Sequence, residues 1–124
     1  MVTIFKELFS ITGRINRKKY LTNSILFAYF PKIVSGAVLS VEDASILGWI
    51  IGIIMIIVLL ASIVIQIALM IKRLHDLDRH GAVILSMLIP LINIVFFFYL
   101  LFTKGTDGCN SYGPDPLDEK SAVF

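Results

Sequence analysis

A chain of 124 residues has room for one domain, and with 57% hydrophobic and 16% charged residues and a mean hydropathy of +0.88 it lacks the composition of a water-soluble globule. The net charge of +2 is small, and the eleven Lys and Arg residues gather in short stretches beside long uncharged runs, which excludes a nucleic-acid face and points to a bilayer. One cysteine, Cys109, excludes an intramolecular disulfide and a thiolate metal cage built from a single copy.

Residues 2–11 place Ile4, Phe5, Leu8 and Phe9 on one side of a short helix, with Lys6, Glu7 and Ser10 between them. This predicts an amphipathic helix in the headgroup plane, stopped at Gly13. The stretch Gly13-Arg14-Ile15-Asn16-Arg17-Lys18-Lys19-Tyr20 then sets four cations ahead of an aromatic, the order of a cytoplasmic interface facing anionic lipid. Residues 1–19 with the apolar run 21–30 and Ser35-Gly36-Ala37 loosely match a cleavable signal, but Lys32 and two later apolar runs favour a retained first anchor.

The first span is read at residues 20–39, kinked at Pro31. An acidic turn at 41–45 without Lys or Arg fits the outer side. The second span, residues 46–71, carries no formal charge; its β-branched residues do not forbid helix, because hydrocarbon leaves no other partner for the backbone. Lys72 through Gly81 reads as a charged inner connection with Gly81 as cap or turn. The third span, residues 82–102, contains Pro90 and Asn93 and is read as one kinked helix. A re-entrant hairpin turning at residues 90–93 is the competing geometry, disfavoured because each arm would have roughly ten residues and few turn formers.

Five cations precede the first span and three lie in the inner connection, against Lys104 and Lys120 beyond the third, with Lys32 inside the first. This predicts a cytoplasmic N-terminus and a periplasmic C-terminus. The expected fold is therefore an all-α membrane protein: interfacial residues 1–19, three transmembrane helices and a turn-rich tail at 103–124. Repeats and low-complexity segments are absent from the sequence.

Three stretches, Gly13 to Tyr20, Arg73-Leu74-His75-Asp76, and Lys104-Gly105-Thr106-Asp107-Gly108 through Asn110-Ser111-Tyr112-Gly113-Pro114-Asp115-Pro116, make the chain resemble the small bacterial inner-membrane proteins grouped as domain of unknown function 805. The resemblance covers nearly the whole chain and implies inner-membrane residence; it implies no reaction. The chain departs from the pattern at Leu21, where a Trp is common, and at Ala82-Val83, in place of an aromatic pair.

The candidate functional cluster comprises Arg14, Arg17, Arg73, His75, Asp76, Lys104, Asp107, Asn110, Tyr112 and Asp115. On a helix, Asp76 falls within reach of Lys72, Arg73 and Arg79, so ion pairing accounts for it more economically than catalysis. His75 and His80 are five apart and diverge around a helix, so no metal or cofactor is implied. Nucleophile-elbow, phosphate-loop and metalloprotease motifs are missing from the sequence, and no residue is assigned a catalytic role. Gly48-x-x-x-Gly52, with Ser62 and Gln66, gives the second span a face that another helix can approach closely, either within the chain or from a second copy or membrane partner. The reading this favours is a non-enzymatic interaction or accessory protein. The alternatives are a transport or channel subunit using Lys32, Gln66 and Asn93, and a membrane enzyme using His75 and Asp76.

Overall fold

The structure, a computed structural model, describes residues 2–38 and 45–118. The acidic turn and the end of the first expected span fall largely outside these residues, as does the end of the tail. The elements in chain order are α1 (Val2–Phe9), α2 (Arg17–Val38), α3 (Ile46–Asp76), a 3₁₀ helix (Gly81–Leu88) and α4 (Pro90–Phe102).

Each boundary has a local cause. Gly13 adopts φ +86 and turns the chain between α1 and α2, a conformation that favours glycine. The Asn16 side chain then accepts the Lys19 N–H at 2.9 Å, capping α2, which continues through Pro31 to Val38. Ser45 caps α3 by accepting the Gly48 N–H at 3.2 Å.

The other end of α3 corrects the sequence reading, because the helix runs five residues past 71, through the charged segment to Asp76. It closes with the Arg79 N–H donating to the Leu74 carbonyl at 2.9 Å and the Asp78 N–H to His75 at 3.1 Å, with Asp78 at φ +54. Asp78, not Gly81, thus occupies the left-handed position of a Schellman-type end. Gly81 instead opens the 3₁₀ helix, where a side chain would crowd Ile71.

Among the described residues, α3 is the one helix long and apolar enough to cross a bilayer by itself. Its 31 residues extend about 46 Å at 1.5 Å per residue. The third expected span is not a continuous helix. Ile89 is extended (ψ 115) and separates the 3₁₀ helix from α4, where Pro90 takes the first position and its missing N–H leaves nothing unpaired. With 13 residues α4 reaches about 20 Å, short of a hydrocarbon core of about 30 Å.

The segment is a hairpin that leaves the end of α3 and returns to it. Gly81 lies against Ile71, while the Leu100 carbonyl accepts from Arg73 Nε at 2.8 Å. The tail therefore sits at the same end of α3 as the segment preceding α2. This corrects the expected opposite placement of N-terminal segment and tail, and the physical reason is the break at Ile89.

The buried core lies at that end. Ile15, Tyr20, Ile65, Leu69, Leu74, Leu77, Phe96 and Leu100 form one cluster, with Leu8, Phe27, Met70, Ile84 and Met87 packed on it. No buried residue of α3 precedes Ser62. Ile46 and Trp49, at the far end, are 82% and 72% exposed, which suits lipid as their solvent.

Candidate functional site

Asp76 is the last residue of α3, and its side chain is only 4% exposed. A carboxylate held that far from water needs charge and hydrogen-bond partners, and it has both on each oxygen. Oδ1 accepts from Arg14 Nε at 3.1 Å and lies 3.0 Å from Arg14 Nη2. Oδ2 accepts from Arg73 Nη1, one helical turn earlier.

Both guanidiniums are themselves buried, with side chains 1% and 0% exposed, and spend their remaining donors on carbonyls. Arg14 Nη1 donates to Gly108 at 2.6 Å and to Gly113 at 3.2 Å, and Nη2 to Thr106 at 2.6 Å. Arg73 reaches Leu100, Ile15 and Thr103. The five donors of each planar fork suit this work, since one cation holds an anion and several main-chain acceptors together.

Thr106 completes the knot. Its N–H donates to the Asp76 carbonyl at 2.8 Å and its hydroxyl to the same oxygen at 3.0 Å. Asn110 Nδ2 donates to the His75 carbonyl at 2.7 Å and to Thr106 Oγ1 at 2.8 Å. These bonds satisfy carbonyls that the end of a helix leaves without partners. Asn110 and Gly113 exchange two backbone hydrogen bonds and close a tight turn.

His75 faces away from Asp76. Its ring stacks on Tyr112, centroids 3.9 Å apart and 4° from parallel, and Nδ1 lies 3.3 Å from the Gly13 carbonyl. A carbonyl only accepts, so this contact assigns the proton to Nδ1. Tyr112 anchors the tail by this stack.

The remaining sequence-predicted residues lie at the rim. Arg17 Nη1 reaches the Phe102 carbonyl at 3.4 Å, and Lys104 pairs with Asp107 at 2.8 Å in the open. Asp115 accepts the Leu117 N–H at 2.9 Å and the Gly108 N–H at 3.0 Å; these bonds, Leu117 first, hold its carboxyl below the ordinary value. The cluster inferred from sequence therefore comes together around Arg14, Arg73 and Asp76, with His75, Asn110 and Tyr112 beside them.

Of the three expected partners of Asp76, only Arg73 pairs with it; Lys72 turns instead to the Glu7 carbonyl of α1. Thr106 and Gly105 escaped the sequence reading, although both sit inside the Lys104–Gly108 motif. A Cβ on Gly105 would stand 2.7 Å from Asp76 Cγ, so the close approach of the tail requires glycine there.

Farther along the helices, Gln66 Nε2 donates to the Ser24 carbonyl at 2.7 Å, and Ser62 bonds back to Val58 at 2.8 Å. Lys32 Nζ lies 5.4 Å from the centre of the Tyr29 ring, and Asn93 falls in the first turn of α4. A Cβ added at Gly52 would meet nothing within 4 Å, so that part of the small-residue face is open.

Residues 8–114 match the family model described as "Protein of unknown function (DUF805)". The chain is 34% identical over 115 residues to inner membrane protein YhaI of Escherichia coli K12, covering 93% of this chain and 92% of that protein. The same identity and coverage are found with inner membrane protein YhaI of Escherichia coli O157:H7. No solved structure matches.

Proposed function

The chain belongs to the DUF805 family, and from that membership we propose that it is a multi-pass bacterial inner-membrane protein acting as a non-enzymatic interaction or accessory partner. In this reading α2 and α3 cross the bilayer, the hairpin of residues 81–102 is re-entrant, and the N-terminal segment and the tail share the cytoplasmic face. The observation that carries it is the saturation of the polar cluster. Asp76 is taken by two guanidiniums, and those by carbonyls, so the densest ionisable group works as a clasp that presents the tail.

Orientation follows from the cations. Lys6, Arg14, Arg17, Lys18, Lys19, Lys72, Arg73, Arg79 and Lys104 all belong to the clasped end, which supports a cytoplasmic location for it. Cys109 is exposed on the tail and reports the side directly. An impermeant maleimide is expected to label it in inverted inner-membrane vesicles and not in intact spheroplasts. The opposite pattern sinks the shared-face topology.

The enzyme alternative has a clean discriminator in His75. His75→Phe keeps a flat ring against Tyr112 but removes all proton transfer. Under the interaction reading it keeps normal abundance and complements a deletion strain as well as the parent. His75→Ala loses the stack, worth about 0.5–1.5 kcal/mol, and melts earlier in detergent. Loss of complementation by His75→Phe at full abundance favours the enzyme instead.

The partners in this reading are anionic lipid at the basic flank before α2, and a second copy or another membrane protein across Gly48 and Gly52. Gly52→Leu fills the open side of that face and is expected to abolish cross-linked oligomers in membranes. Unchanged cross-linking removes the face from the proposal.

A further inference from the structure

The two halves of the molecule differ in girth. Around the clasped end stand α2, the lower part of α3, the 3₁₀ helix and α4, with α1 beside Lys72. Among the described residues, only α2 and α3 extend to the far end. The burial pattern marks the border: every buried residue of α3 lies at or beyond Ser62, and of the hairpin Phe96 and Leu100 are buried in the core while Ile84 and Met87 pack against it.

The depth of the hairpin follows from its arms. The 8-residue 3₁₀ helix rises about 16 Å at 2.0 Å per residue. The 13-residue α4 rises about 20 Å at 1.5 Å per residue. A leaflet of hydrocarbon is about 15 Å deep, half of a core of about 30 Å. The tip at residues 88–91 thus stops near the midplane. Its side chains suit that depth, with Leu88 and Leu91 82% and 79% exposed and no charge from 81 to 102.

Two extra rods of about 10–12 Å diameter add roughly 160–220 Å² of cross-section to one leaflet and nothing to the other. A bilayer relieves such an imbalance by bending until the crowded leaflet lies on the convex side; amphipathic helices act on curvature by the same one-sided insertion. We propose that the re-entrant hairpin makes this protein a one-leaflet wedge, which prefers and stabilises membrane that is convex on the face carrying the tail. The wedge rests on the reading that α2 and α3 cross the bilayer. Its ligand is the lipid surface itself, selected by shape.

The full chain, labelled with a fluorophore at Cys109, is reconstituted into giant phosphatidylcholine–phosphatidylglycerol vesicles, from which narrow membrane tubes are pulled. Quenching from outside distinguishes molecules whose tail faces out. These are expected to be enriched severalfold in the tube, increasingly as it narrows, while molecules with the tail inside are depleted. One molecule in two orientations is its own control, so no variant has to fold. Equal densities in tube and vesicle, or the same sign for both orientations, overturn the wedge. Failure of the crossing itself is read separately. In inner-membrane vesicles from cells, where insertion has one direction, an impermeant thiol reagent at Cys109 and, in a Cys109→Ser background, at Ser40→Cys should mark opposite faces; the same face for both refutes the spanning reading and the wedge with it.

Discussion

Asp76→Asn is expected to remove about 3–5 kcal/mol of stability, the cost of leaving buried charge without its counter-ion. The substitution replaces one carboxylate oxygen with an NH2 group, so shape is kept while the charge and one acceptor are lost. Arg14 and Arg73 would then face each other across a neutral group at 1% and 0% exposure, with no water to screen them. The measurement is thermal unfolding in detergent together with the folded yield in membranes. The molecule supplies its own control, because Lys104 and Asp107 form a second ion pair at the same i, i+3 spacing but 66% and 78% exposed. Asp107→Asn should change stability by no more than about 1 kcal/mol. If the two substitutions behave alike, the clasp is not what holds this end together.

Gly105→Ala is expected to be nearly as damaging, although it adds one methyl group to an irregular segment. The new Cβ would lie 2.7 Å from Asp76 Cγ and 3.0 Å from Oδ1. That carboxylate cannot swing away, since Arg14 and Arg73 grip its two oxygens from different sides. The tail must retreat instead, stretching the Thr106 bonds to the Asp76 carbonyl. Overpacking of this kind costs about 1–3 kcal/mol, and the broken hydrogen bonds add to it. Faster proteolysis of the tail and earlier melting are the readouts. Gly36→Ala on α2, where a Cβ meets nothing within 4 Å, should show neither.

The body of α3 was legible because residues 46–71 carry no charge, and such a run in lipid has one way to pair its amides. The end of α3 was not. Charges from Lys72 onward read as the place where a span stops, yet the helix goes on because Arg73 finds acceptors on α4 and in the segment before α2. The sequence disfavours the hairpin for want of turn formers, but the reversal needs only an extended Ile89 and a proline at the first position of α4. Helix arithmetic found Arg73 as a partner of Asp76 and could not find Arg14, 62 residues away. Only the family resemblance grouped Arg14, the Arg73–Asp76 turn and the tail, the three stretches that the fold brings into contact. Residues 41–44 of the acidic turn and the last tail residues, 119–124, lie outside the described residues.

Arg14 and Arg73 grip the tail and the end of α4 largely by main-chain oxygens: those of Thr106, Gly108 and Gly113 for the first, those of Leu100 and Thr103 for the second. Every residue type carries such an oxygen. Exchange of outward-facing positions such as Lys104, Cys109 or Ser111 therefore leaves the grip unchanged, while Gly105 and Thr106 are not interchangeable. The segment behaves like a printed label in a fixed frame: its wording can be revised position by position without loosening what fastens it to the membrane.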